Sequence, residues 1–155
     1  MTLAESIVVL FAIHADPRHT EAITNAVKDH HADHALVASL AVAESSVGTG
    51  GTILTGAMLH RPQSACADDP RHMARVRAAR RARRRPPLCI DRRPEAQAAF
   101  TARLFGRVPR RAWARMLAGY RCGPNAACQR GAGAAYAARV IAGRDRIAAA
   151  LRRGR

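Results

Sequence analysis

Alanine-rich segments carrying Leu and Ile three and four residues apart restrict this chain to helices. The strand formers Val, Ile and Thr never settle into alternation, and aromatic residues make up only 4%. Hydrophobic residues reach 48% of 155, enough for one folded core. The expected architecture is a single all-α domain over residues 1–155.

Local signals divide the chain. A first helix is expected over 3–14, stopped before Pro17. Thr20 is expected to cap a second, running to about Asp29 with Ile23 and Val27 on one face. "HHADH" makes a polar turn in which Asp33 is the N-cap of a third helix, His34 to about Glu44. The glycines of "SSVGTGGT" require a loop, and a short helix is expected at about 53–60. Pro94 opens a helix through Phe105 that Gly106 closes. Pro109 opens the next, with Trp113 and Leu117 on one side, ending near Gly119. The last helical segments are expected over Gly133 to Ala142 and Arg144 to Arg153, interrupted at Gly143.

Charge is divided as sharply. Residues 1–70 hold three basic and eight acidic side chains, whereas residues 71–155 hold 23 and three. The arginine-rich segment at about 71–93 has ten arginines against Asp91 alone, and "RRRPPLC" ends any helix in its early part. Such a half suits a polyanion. Arginine is also the common solvated side chain here, at 25 of 26 basic residues.

The four cysteines allow three pairings. Cys122 and Cys128 enclose the short loop "CGPNAAC" and are the natural local bridge, which leaves Cys66 with Cys89; four reduced thiols are the alternative. Neither pair has CxxC spacing, and His30, His31 and His34 straddle a helix start, so no metal is expected. No cofactor is expected either. "IVVLFAI" is too short to span a bilayer, and with Glu5 before it and no Lys or Arg before Arg18 it makes a poor signal peptide.

Glu44 is the residue that invites chemistry. Residues 35–43 carry no charge, and then a carboxylate stands where the chain turns. At a helix C-terminus the dipole disfavours the ionised form, and apolar neighbours add to that. A carboxyl kept protonated is a general acid. A solvated Glu at a frayed helix end is the plain alternative.

The flanking motifs occur in a telling order: Glu44-Ser45 at a helix end, Gly56-Ala57-Met58-Leu59, Gly119-Tyr120-Arg121-Cys122-Gly123, and Tyr136, Ala137, Arg139 and Val140 in a closing helix. Over about residues 20–145 this resembles the lytic transglycosylase family, whose domain has the goose-type lysozyme fold. Leu59 or His60 stands where that family has Gln, and Arg121 where it has Asn. The resemblance implies a lysozyme-like helical domain that cleaves the MurNAc–GlcNAc bond of peptidoglycan. One Glu, here Glu44, acts as acid and then base, and the product is 1,6-anhydro. Ser45, Ser46, Met58, His60, Tyr120, Arg121 and Tyr136 are the implied substrate-side residues, with Tyr120 orienting Glu44. Asp68 and Asp69 are candidate second carboxylates for a hydrolytic reaction, read first as turn residues. The implied location is periplasm or cell wall, with the arginine-rich segment attached to anionic wall polymer. The rival readings are a basic nucleic-acid-binding protein, although 71–93 lacks stacking aromatics, and an inactive relative that only binds glycan.

Overall fold

The described chain is all-α, and its helices follow from buried alanine and well-placed caps. A computed structural model describes residues 1–11, 15–44, 60–61, 69–85, 87, 89–90 and 94–154, with the backbone alone at 60–61 and 89–90. The helices are α1 (Leu3–Phe11), α2 (Pro17–His30), α3 (His34–Glu44), α4 (Pro70–Arg81), α5 (Pro94–Phe105), α6 (Trp113–Cys122), the single turn α7 (Ala126–Cys128) and α8 (Ala134–Arg153). A 3₁₀ turn at Arg110–Ala112 leads into α6, and a π turn at Gln129–Gly133 leads into α8. Two residues of β1 (His60–Arg61) pair antiparallel with β2 (Cys89–Ile90). The helix expected at 53–60 lies outside the described residues except His60, whose backbone is in that ladder.

α3 is the centre of the fold. Every residue from Ala35 to Val42 is buried, which is why the stretch carries no charge: a helix enclosed on all sides has no polar face. α2, α5 and α8 pack on it. Leu36 and Leu40 join Leu117 and Val140 in one cluster, while Val37 and Ala41 join Ile7, Ile23 and Ile147 in another. Each fully buried Leu or Ile contributes about 1.5–3 kcal/mol. Ala22 and Ala26 of α2, with Ala98 and Ala102 of α5, are buried too. Their short side chains let those helices approach closely.

The caps show where sequence signals held and where they did not. Asp33 caps α3, accepting from the Leu36 N–H at 2.8 Å. α5 begins at Pro94 and ends at Phe105, and the Gly106 N–H reaches Ala102 O at 2.7 Å. α2 starts earlier than expected. Asp16 is its cap, accepting from the Arg18 N–H at 2.9 Å, with Pro17 pre-set at the first helical position. Thr20 is buried in the first turn instead, its hydroxyl donating to Pro17 O at 3.0 Å. α6 runs past Gly119 to Cys122 and stops at Gly123, whose φ of 58° suits glycine. Asp69, considered above as a second carboxylate, caps α4 by accepting from the Arg71 N–H at 2.9 Å; Asp68 lies outside the described residues.

The largest correction concerns Gly143. The last helix is continuous from Ala134 to Arg153. Gly143 is buried where α8 crosses α3, and a Cβ there would run into Ser39 Oγ. The glycine marks a close approach between helices, not an interruption.

Candidate active site

Three polar ties hold α8 against α3, and the last of them forms the site. At the start of α3, the Arg144 Nε donates to both Asp33 oxygens at 3.2 Å, and Arg144 Nη1 donates to Asp145 at 2.9 Å. Burial works against ionisation of Asp33. The hydrogen bonds from Arg144 and the Leu36 N–H outweigh it and hold the carboxyl below its usual range. In the middle, the Ser39 hydroxyl donates to Val140 O at 2.7 Å. At the end, the Tyr136 hydroxyl donates to Glu44 Oε1.

Glu44 is half-buried as the last residue of α3. Tyr136 is 4% exposed. Burial first, then the hydrogen bond to Glu44 and its charge, push the Tyr136 phenol well above its ordinary value. Burial and the Glu44 charge do the same to Tyr120. Both shifts favour the protonated hydroxyl, the form that donates. The guanidiniums of Arg121 and Arg139 lie 5.8 and 5.6 Å from the Tyr136 ring centroid, within cation–π range. Phe105 meets Tyr120 edge-on at 6.4 Å.

The structure thus brings Glu44, Tyr120, Arg121 and Tyr136 together. Tyr136 donates a hydrogen bond to Glu44, and Tyr120 lies close enough for the Glu44 charge to act on its phenol. Arg121 is exposed and stands over Tyr136. Ser45, Ser46, Met58 and Cys66 lie outside the described residues, as do the side chains of His60 and Cys89, and with them the Cys66–Cys89 pairing. Sequence reasoning missed Ser39, and it gave Arg139 a place in the closing-helix motif but no role. Ser39 had a signal, being the one hydroxyl within an apolar run. Arg139 had the motif itself, three residues after Tyr136.

The Cys122–Cys128 bridge is present, with Cα atoms 5.7 Å apart. It joins the end of α6 to α7, where the Asn125 side chain accepts from the Cys128 N–H at 2.9 Å. A Cβ on Gly133 would lie 2.9 Å from Cys122 Sγ and 3.1 Å from Ala118 O. The start of α8 is therefore pressed against the end of α6, and Tyr136 follows within one turn. The bridge bears on the tyrosine that holds Glu44, as well as on Tyr120. Replacing both cysteines by serine should lower stability by about 2 kcal/mol, the chain-entropy value for so short a loop. Thermal unfolding of the double variant against the oxidised protein measures this; an unchanged Tm would mean the bridge constrains nothing.

An alanine-lined groove of about 720 Å³ runs between α6 and α8. Glu44 is not among its walls, so it is not where this carboxyl would meet a substrate. Among the described residues, no three His, Cys, Asp or Glu side chains come together to hold a metal ion. No described helix is long and apolar enough to cross a membrane. No protein-family model matches the chain, and neither curated proteins nor solved structures give a match to it.

Proposed function

We propose that this chain is a peptidoglycan-cleaving enzyme of the lytic transglycosylase kind, with a lysozyme-like fold, working in the periplasm or cell wall. Glu44 is its acid and base on the MurNAc–GlcNAc bond. The observation that carries this reading is the Tyr136–Glu44 hydrogen bond at the end of a helix buried from Ala35 to Val42. A solvated carboxylate at a frayed end needs no buried tyrosine aimed at it.

The arrangement suits one carboxyl used twice. Tyr136 donates to Oε1, which leaves Oε2 to carry the proton. In the first half, that proton passes to the glycosidic oxygen of the leaving GlcNAc as the bond to the anomeric carbon breaks. In the second, the Glu44 carboxylate takes the proton of the MurNAc 6-hydroxyl as its oxygen bonds to that carbon. The proton is returned, no water is consumed, and the product is a 1,6-anhydro sugar. No second carboxylate is needed, in contrast to the usual glycosidase pair. Tyr136 remains a donor throughout and steadies the charge on Oε1 in the second half.

Digestion of purified peptidoglycan with mass analysis of the fragments tests this. The expected products are lighter than hydrolytic ones by one water. Hydrolytic fragments would keep Glu44 as the acid but put water in place of the 6-hydroxyl. No released fragments would remove the enzymatic reading and leave a glycan- or nucleic-acid-binding protein.

A further inference from the structure

α4 ends in a turn that gathers arginines on one flank. Arg83 adopts φ 53°, in the left-handed region. The Arg84 N–H donates to Ala79 O at 2.8 Å and the Arg83 N–H to Arg80 O at 3.1 Å, the bond pattern of a Schellman closure. Glycine usually holds that position; an arginine there costs on the order of 1 kcal/mol. The turn carries Arg84 and Arg85 back to the flank of the helix. With Arg75 they enclose a concavity of about 450 Å³ whose floor includes Ala78, Ala79 and Ala82.

The chemistry of that concavity is narrow. Arg75, Arg84 and Arg85 are exposed, and among the described residues no carboxylate forms an ion pair with them. One guanidinium fork saturates a carboxylate by a bidentate pair. Three arginines lining one space suit an anion with more oxygens, and phosphate is the common one. Among the described residues no aromatic side chain lines the space, so they offer a base no stacking platform. The methyl floor suits a small aliphatic spacer. Arg71 lies one turn before Arg75 on the same flank, about 6 Å along the axis, so the basic surface continues in a line. His72 and Val76 form the buried face of α4, which leaves that line open.

We propose that the Arg75–Arg84–Arg85 concavity binds the phosphate groups of a linear phosphodiester polymer with small polyol spacers and no bases, the chain running along α4 past Arg71. This is a separate site from Glu44 and is tested without turnover.

The full chain is titrated at physiological salt with poly(glycerol phosphate), with duplex DNA of equal phosphate count, and with inorganic phosphate. Two variants are compared: Arg75→Gln/Arg84→Gln/Arg85→Gln, and the charge-matched Arg107→Gln/Arg152→Gln/Arg153→Gln, all at exposed positions. The expected result is preference for poly(glycerol phosphate), weakened by about tenfold or more in the first variant and by less than about twofold in the second. Equal losses in both variants would mean that net charge alone binds the polymer. Tighter binding of DNA would make α4 a nucleic-acid surface. Inorganic phosphate binding as well as the polymer would reduce the site to a single-anion pocket. Any of these, or no binding at all, overturns the proposal. Circular dichroism verifies that both variants are folded.

Discussion

Glu44→Gln should lower peptidoglycan turnover by about 10³-fold or more while leaving the helical circular dichroism spectrum unchanged. General acid–base catalysis by a placed side chain is worth roughly 10²–10⁴-fold, and here the same carboxyl serves both halves of the proposed reaction. The amide keeps the shape of the side chain and can still accept from the Tyr136 hydroxyl, so the buried end of α3 has no reason to open. It cannot give up a proton. Rates of release of soluble fragments from the two proteins, at matched concentration, measure the difference. Comparable turnover by the Gln variant, with an unchanged spectrum, would move the catalytic group elsewhere in the chain.

Gly143→Val should lower stability by about 3 kcal/mol or more, a fall in Tm of roughly 10 °C for a chain of this size. The new Cβ runs into Ser39 Oγ, which is fixed by its bond to Val140 O, and it also lies 3.5 Å from Phe11 Cζ. Neither helix can retreat without giving up buried contacts. Gly143→Ala alone separates crowding from helix propensity, because alanine gains about 1 kcal/mol in a helix interior. Its net effect should be unfavourable with Ser39 present and favourable in a Ser39→Ala background, where the nearest remaining Ser39 atom is Cβ at 3.5 Å. Thermal melts of the four proteins in this cycle give the coupling. Additive effects would mean that Ser39 and Gly143 do not meet.

Much of the helix layout was legible because its signals are local. Asp33 three residues before a backbone N–H, Pro94 at a first turn and Gly106 after a last one act within a few residues, and each holds in the fold. Thr20 and Asp16 both match the capping preference, and Pro17 at the first helical position is what favours Asp16. Gly143 is ambiguous for a different reason. A glycine inside a helical pattern either breaks the helix or admits a neighbour, and the neighbour is Ser39, far away in sequence. Glu44 stood out as a lone carboxylate after an uncharged run. The hydrogen bond it accepts from Tyr136 could not be read from a motif: Tyr136 sits on a different helix, and the crossing of α3 and α8 brings the two together. The all-α class followed from the alanine-rich periodicity; the helix-crossing geometry that builds the site is carried by no short stretch of sequence.

The ties between α3 and α8 also fix a length. Tyr136 and Arg144 are on one continuous helix and grip opposite ends of another, at Glu44 and Asp33. One residue added between them would turn one grip against the other by about 100°, so that holding Asp33 would swing the tyrosine away from Glu44. A full turn cannot be added either, since it would lengthen α8 by about 5.4 Å against an unchanged α3. The interval from 136 to 144 is therefore a ruler cut to the buried helix it spans. Past Ala150, the last buried residue of α8, that constraint relaxes, and the helix can gain turns at its far end without moving the carboxyl.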